Sequence, residues 1–189
     1  MNAINLFFKR TLSYFLFINL FFLQHLSAQD QNAIQTNKSE IIKAQKEWAN
    51  RIINVGEVYL KKGDYVSTAN KLIDDLYAYN FQDGSVLFKP TKASKVPFRV
   101  TKNSALSYFV GNNTNYPEDF GFAINPWKKI TFQNKKFYFY HDISIAMGTY
   151  NFTDLNNNIT KVEYTFGYIK TPEDKLKIIL HHSSLPYIP

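Results

Sequence analysis

The stretch that decides the fold is Lys175–Pro189, which reads KLKIILHHSSLPYIP. The apolar run Leu176–Leu180 predicts a β-strand, and Pro186 ends it because proline has no N–H to donate to a neighbouring strand. Four polar residues lie between the run and the proline: His181, His182, Ser183 and Ser184. This strand therefore carries imidazole and hydroxyl groups at its end, and the rest of the fold has to accommodate them.

The two faces of this strand divide the polar side chains into pairs. Successive side chains of a strand point to opposite faces, so His181 and Ser183 are expected on one face together with Ile179. His182 and Ser184 are expected on the opposite face. Burying such groups costs free energy unless they find hydrogen-bond partners, and the end of this strand is therefore a candidate functional site.

Upstream of this strand, the apolar residues follow first the period of a helix and then that of a strand. Ser39 is the predicted N-cap of a long helix that ends near Lys62-Gly63, and Asp64 is the predicted N-cap of a second helix. A short helix is predicted at Ser104–Val110. The extended runs are Ser85–Lys89, Val96–Thr101, Ile130–Gln133, Phe137–Tyr140, Ile143–Thr153 and Lys161–Lys170. Helices followed by a meander of antiparallel strands predict a single α+β domain over residues 39–189.

Residues 1–28 have the layout of a secretory signal peptide. Lys9 and Arg10 form a positive segment, Leu12–Leu23 is apolar, and Ala28 is a small residue suited to cleavage. Residues 29–38 form a polar leader. We expect the protein to be secreted across the inner membrane into the periplasm, with no stable membrane span after cleavage. A retained N-terminal anchor is the alternative, although the apolar run is short for a spanning helix.

The composition narrows the classes of function. The 189 residues include 17 Phe and 13 Tyr, many of them in β-runs, which predicts a sheet around an aromatic-lined interior. There is no cysteine, so a disulfide framework and a thiol nucleophile are excluded. Removal of residues 1–28 lowers the formal net charge from +7 to +5, because two basic residues and no acidic residue are lost. The lysines are scattered, so we expect no nucleic-acid partner.

Metal and nucleophile chemistry have little support in the sequence. A three-histidine zinc site requires three converging rings, but His181 and His182 are predicted on opposite faces, and His141 is the other histidine of residues 29–189. There is no G-x-S-x-G nucleophile turn and no glycine-rich phosphate-binding pattern. A mixed site of histidine and carboxylate ligands remains open.

Three neutral hydroxyl residues lie at or near the ends of predicted elements: Thr91 after FKP, Tyr108 in SALSYFVG, and Ser183. Hydroxyl groups can bind a planar oxyanion or orient a water molecule without a metal. Each residue also has a structural interpretation, Thr91 as a turn or cap residue, Tyr108 as a core residue, and Ser183 as a partner of the backbone. The pattern alone leaves both interpretations open.

Seven motifs resemble those of the iota-class carbonic anhydrases. They are LFKPTKAS (87–94), PFR (97–99), SALSYFVG (104–111), PEDFGFAINPW (117–127), AMGTYNFT (146–153), KVEYTFGY (161–168) and LKIILHHSSLPY (176–187). The similarity runs from about Trp48 to Tyr187, and HHSSLP is its most specific element. Proteins of this class resemble the association domain of calcium/calmodulin-dependent protein kinase II. They have the nuclear transport factor 2-like fold, a cone-shaped curved antiparallel sheet with a long N-terminal helix packed on it, usually as a homodimer.

The resemblance implies an activity, the reversible hydration of CO2 to bicarbonate and a proton. It implies that no metal cofactor is needed, with zinc or manganese as the alternative. It also implies that bicarbonate lies between Thr91, Tyr108 and Ser183. In that interpretation Tyr108 and Ser183 orient a water molecule and help to remove its proton, while Thr91 and Ser183 donate hydrogen bonds to the forming bicarbonate.

Four further residues are expected to support this site. His181 shares a face with Ser183 and is a candidate proton relay, His182 and Ser184 are its neighbours, and Arg99 is interpreted as a structural ion-pair partner. Two alternatives to this function are kept. One is a non-catalytic pocket for small ligands or an assembly module of the same fold, and the other is a hydratase that depends on zinc or manganese.

Overall fold

A computed structural model describes residues 36–81 and 83–189. The predicted signal peptide and most of the predicted polar leader lie outside the described residues. The helices are α1 (Lys38–Leu60), α2 (Tyr65–Leu76) and α3 (Lys102–Val110), with a 3-10 turn at Ala78–Asn80. The strands are β1 (Leu87–Lys89), β2 (Trp127–Tyr140), β3 (Ile143–Asp154), β4 (Ile159–Lys170) and β5 (Leu176–Ser184). The predicted α+β class is confirmed.

Helix α1 begins earlier than predicted, because Asn37 and not Ser39 is its N-cap. The Asn37 side chain accepts hydrogen bonds from the backbone N–H groups of Ser39 and Glu40, and the Glu40 carboxylate accepts from the Asn37 N–H at 2.8 Å. This reciprocal capping box satisfies N–H groups that the first turn leaves free. The predicted cap of α2 is confirmed, since the Asp64 carboxylate accepts from the Ser67 N–H at 2.9 Å.

The apolar residues that recur at the helix period in α1 face the sheet and are buried there, except for Tyr59 near the end of the helix, which is 41% exposed. The fully buried residues among them are Ile41, Trp48, Ile52 and Val55. The exposed side of α1 is mostly charged or polar, with Ile42 and Leu60 as apolar exceptions. Within residues 36–81 and 83–189, no helix is long and apolar enough to cross a membrane.

The strands form one five-stranded sheet in the order β1-β5-β4-β3-β2. Neighbouring strands are antiparallel except for β1 and β5, which pair in parallel with Phe88 opposite His181. The predicted extended run Val96–Thr101 does not become a strand. It runs beside β1 instead, where the Arg99 N–H donates to the Phe88 carbonyl at 2.8 Å. This contact covers part of the otherwise open edge of β1.

The two runs predicted at Ile130–Gln133 and Phe137–Tyr140 belong to one strand, β2, which contains a bulge between Asn134 and Lys136. The bulge lies against Gly148, where any side chain would collide with the backbone of β2. The extra residue keeps both Asn134 and Phe137 partly buried on the inner face. A β-bulge changes the alternation of a strand in this way.

A second irregularity lies in β5, between the pairs Gly167–Leu180 and Tyr168–Ile178. Ile179 is therefore the extra residue, and Ile178, which is 3% exposed, lies on the buried face with His181 and Ser183. The prediction that Ile179 shares this face was wrong, because the bulge shifts the alternation by one residue. The faces predicted for the two histidines and two serines are unchanged.

Candidate active site

The parallel pairing of β1 with β5 brings Thr91 to Ser183. Lys89 is opposite His182 in the register, and Thr91 follows two residues after β1 ends. The Thr91 hydroxyl donates to the Ser183 hydroxyl over an Oγ1–Oγ distance of 2.9 Å. Ser183 is 3% exposed and Thr91 is half-buried. Two hydroxyl groups that are 92 residues apart in the chain thus form one pair.

Tyr108 reaches the same region from α3, which is capped by Thr101. Its ring is 6% exposed and stacks on Phe122, with ring centroids 5.4 Å apart. Burial raises the pKa of the Tyr108 phenol well above its ordinary value, and the nearby phenol of Tyr150 adds to the rise, while the Lys92 backbone amide opposes it. Tyr108 is therefore a neutral hydroxyl at physiological pH.

Tyr150 of β3 is a fourth hydroxyl in this region, and sequence reasoning missed it. It is 2% exposed, and its Oη lies 3.5 Å from His181 Nε2. Burial raises the pKa of the Tyr150 phenol, and hydrogen bonding with Ser183 and Thr91 lowers it in part. The motif AMGTYNFT could have indicated that Tyr150 points inward, because Ala146, Tyr150 and Phe152 are an even number of residues apart and share the inward face of β3.

His181 is enclosed by aromatic rings rather than by water. It is 3% exposed and stacks on Phe88 with ring centroids 4.5 Å apart, and its Nδ1 lies 2.9 Å from the Tyr77 hydroxyl. The same hydroxyl accepts from the Trp48 Nε1–H at 2.9 Å. Burial lowers the pKa of His181 well below its ordinary value, and the neighbouring His182 lowers it further. The imidazole is therefore neutral.

His182 and Ser184 are not brought to this cluster. They lie on the outer face of the sheet, where His182 is exposed and Ser184 is half-buried. Both line a separate cavity of about 550 Å³ together with residues of β2, β3 and β4. Alternation of side chains along β5 puts the sheet itself between this cavity and Ser183.

Thr91, Tyr108, Tyr150 and Ser183 are called the hydroxyl cluster below. Arg99 lies outside this cluster and anchors the loop that contains Asp119. Its side chain is fully buried and forms a two-pronged ion pair with Asp119, with distances of 2.7 Å (Nη2–Oδ1) and 3.2 Å (Nε–Oδ2). Ser107 of α3 donates to the same carboxylate at 2.6 Å, and the guanidinium also stacks over the Tyr116 ring at 4.4 Å. These contacts connect the segment that follows β1, which carries Thr91, to helix α3, which carries Tyr108.

Glu118 fixes the backbone that follows Thr91. Its carboxylate accepts from the N–H groups of Ser94, Lys95 and Val96, each at 2.8 Å. These hydrogen bonds lower the pKa of Glu118 to about 2, because they favour the charged form. The loop that carries the Thr91 hydroxyl is therefore tied at its far end.

A cavity of about 650 Å³ adjoins the hydroxyl cluster on the side of α3. Its lining includes Tyr108, Phe122 and Lys92, the residue that follows Thr91. Its other walls come from the loop that contains Glu118 and Asp119. The cavity connects the neighbourhood of the Tyr108 ring with the protein surface.

The donor set of this site is poor in metal ligands. Within the described part of the chain, no three His, Asp or Glu side chains lie close enough together to hold a metal ion. His181 and His182 point to opposite faces of β5, and His141 is in the turn between β2 and β3. The groups that converge are hydroxyls and one neutral imidazole, which suit the binding of a small oxyanion by hydrogen bonds.

Comparison with known proteins identifies similar chains. The family described as metal-independent carbonic anhydrase matches residues 39–185. A metal-independent carbonic anhydrase from Nostoc sp. is 41% identical over 153 residues, which cover 79% of this chain and 74% of the relative. The crystal structure of an iota-carbonic anhydrase from a cyanobacterium, complexed with bicarbonate, is 40% identical with a TM-score of 0.79, over 82% of this chain and 95% of that one.

More distant structures share the fold. A calcium/calmodulin-dependent protein kinase II association domain from Xanthomonas campestris is 23% identical with a TM-score of 0.53, over 80% of this chain and 89% of that one. A member of the nuclear transport factor 2-like family from Streptomyces avermitilis is 14% identical with a TM-score of 0.51, over 79% and 96% of the two chains. The predicted nuclear transport factor 2-like fold is confirmed.

Proposed function

The chain belongs to the family of metal-independent carbonic anhydrases, and from that premise we propose the residues with which it catalyses the reversible hydration of CO2. Water adds its oxygen to the carbon of CO2, one proton is released, and bicarbonate is formed. Thr91, Tyr108 and Ser183 are the proposed catalytic and bicarbonate-binding residues. The observation that carries this assignment is the 2.9 Å pair of Thr91 and Ser183 hydroxyls; the Tyr108 ring is buried against Phe88 of the adjoining strand β1, with ring centroids 5.7 Å apart.

The proposed site has two chemical sides. Aromatic rings, including Phe88 and Phe122, give apolar walls suited to CO2, which has no charge. The hydroxyls of Thr91, Ser183 and Tyr108 give donors suited to the negative charge that develops as bicarbonate forms. Donors held in place before the reaction stabilise such charge without reorganising.

The proposed proton transfer uses neutral groups. A hydroxyl can accept a proton and give up its own in the same step, so Ser183 and Tyr108 can draw a proton from the water without becoming charged overall. The raised pKa of Tyr108 rules out a phenolate as a standing base near neutral pH. We propose that the proton leaves to solvent through the cavity that Tyr108 and Lys92 line.

Stopped-flow CO2 hydration by the purified protein, before and after exhaustive chelation, tests the function. We expect activity to survive in metal-free protein and to fall in Thr91→Val and Tyr108→Phe variants that remain folded by circular dichroism. Activity that is lost on chelation and restored by zinc or manganese would favour a metal-dependent hydratase. Folded protein without activity in either state would favour a non-catalytic pocket or assembly module.

We also propose that the protein acts as a homodimer. Large apolar side chains are exposed on the outer face of β2 and β3, including Tyr138, Tyr140 and Met147, and such patches often mark contacts between proteins. Light scattering coupled to size exclusion measures the mass in solution, and a monomer at micromolar concentration would contradict this proposal.

We further propose that the protein is exported and works in the periplasm after cleavage behind Ala28. The support is the layout of residues 1–28 described above. The mass of the protein recovered from a cell fraction tests it, since an uncleaved chain in the membrane fraction would indicate a retained anchor.

A further inference from the structure

A chain of buried hydrogen bonds leads from α1 to the hydroxyl cluster, and its first member fixes the direction of the rest. The Trp48 indole N–H has no acceptor capacity, and it lies 2.9 Å from the Tyr77 hydroxyl. Both residues are 1% exposed. Trp48 therefore donates and Tyr77 accepts, whatever the protonation of the other groups.

The Tyr77 hydroxyl then has one hydrogen left to donate. Within residues 36–81 and 83–189, its two hydrogen-bond partners are Trp48 and the Nδ1 of His181, which is 2.9 Å away. If Nδ1 carried the proton, the Tyr77 hydrogen would be buried without an acceptor, which is costly. Nδ1 is therefore the acceptor, and the neutral ring carries its hydrogen on Nε2.

The Nε2–H of His181 faces Tyr150 Oη at 3.5 Å, near the long limit of a hydrogen bond. Because Nε2 carries the hydrogen, the Tyr150 hydroxyl is the acceptor in this contact. The direction set at Trp48 thus extends through Tyr77 and His181 to Tyr150.

We propose that Trp48 and Tyr77 hold His181 as its Nε2–H tautomer, and that His181 is a positioning residue whose N–H is directed at the Tyr150 hydroxyl. This inference rests on the proposed function for its effect on turnover. Because Trp48 cannot accept a proton, the chain cannot carry a proton away from the site. His181 is then a fixed donor to Tyr150 and not a proton relay to solvent.

Histidine ¹⁵N NMR of the full chain tests the tautomer, with the His181 signals identified by their loss in His181→Gln. We expect the Nε2–H form in the unchanged protein and a mixture of both tautomers in Trp48→Phe, where Tyr77 is free to turn its hydrogen away. In the same variant we expect kcat to fall about tenfold, equivalent to about 1.4 kcal/mol. KM for CO2 should change little. An Nδ1–H tautomer in the unchanged protein would overturn the proposal.

Tyr150→Phe and Tyr168→Phe form a matched pair, since both remove one buried hydroxyl from an inward-facing tyrosine. The Tyr168 hydroxyl has no hydrogen-bond partner among the described residues. We expect kcat to fall in Tyr150→Phe and to stay unchanged in Tyr168→Phe. Equal kcat in the two variants would overturn the proposal even if Trp48→Phe does not fold. Full activity in Thr91→Val would instead refute the proposed function and leave the tautomer result standing.

Discussion

Removal of the Ser183 hydroxyl is expected to damage activity far more than stability, and a second buried serine provides the comparison. Ser183 accepts a hydrogen bond from the Thr91 hydroxyl at 2.9 Å. Ser144, on the inward face of β3, is fully buried, and its hydroxyl has no hydrogen-bond partner among the described residues. Ser183→Ala and Ser144→Ala each remove one oxygen atom, but only Ser183→Ala removes a hydrogen bond.

The magnitudes follow from those contacts. Ser183→Ala leaves the half-buried Thr91 hydroxyl without its acceptor, which costs about 1–3 kcal/mol of unfolding free energy. Loss of one preorganised donor to a developing oxyanion lowers kcat by about 10²- to 10³-fold. Ser144→Ala should leave kcat unchanged. It should also leave the free energy of unfolding unchanged or slightly higher, because an unpaired buried hydroxyl is itself unfavourable.

Stopped-flow CO2 hydration with a pH indicator measures kcat, and urea unfolding followed by tryptophan fluorescence measures stability. Similar losses of kcat in Ser183→Ala and Ser144→Ala would refute a specific role of the Ser183 hydroxyl in catalysis, since both losses would then reflect disturbed packing. A Ser183→Ala variant that is fully active and only less stable would make Ser183 a structural residue.

Two further predictions concern the loop that supports Thr91. Asp119→Ala should lower the free energy of unfolding by about 3 kcal/mol, because it removes the two-pronged partner of the fully buried Arg99 guanidinium and leaves only the longer 3.7 Å ion pair with Glu118; a loss below 1 kcal/mol in urea unfolding would contradict this. Glu118 has a pKa lowered from 4.5 to about 2, so its stabilising contribution is complete above pH 4.5 and is lost as the pH falls towards 2. The stability difference between the unchanged protein and Glu118→Gln should therefore shrink over that range, and a constant difference from pH 7 to pH 2 would argue against the assignment.

Local patterns predicted the elements of this fold, while irregular pairings had to be observed. The helical stripe through Trp48 and the alternation in β4 come from burial of one face, which is periodic in the sequence. The bulges opposite Gly148 and at Ile179 insert single residues into that period. Their positions depend on the partner strand, so the sequence of one strand does not reveal them.

The residues of the site could likewise be predicted only in part, because some of its contacts depend on which elements pack together. The resemblance placed Thr91, Tyr108 and Ser183 in one site, and the structure brings the hydroxyls of Thr91 and Ser183 together. Tyr150 and Tyr77 were missed because an inward-facing tyrosine in an aromatic core has the same sequence pattern whether or not its hydroxyl has a function. The tertiary contacts of His181 distinguish the two cases.

The pairing of β1 with β5 makes the order of synthesis matter for this enzyme. Thr91 is made long before Ser183, and all of β2, β3 and β4 are made between them. Contacts of such long sequence separation form slowly, because the intervening chain must be ordered first. A nascent chain can therefore hold helices α1, α2 and α3 and most of its sheet and still lack the hydroxyl pair. On the proposed assignment of Thr91 and Ser183, catalytic competence arises only with the longest-range strand pairing of the sheet, so the appearance of activity marks the completion of folding.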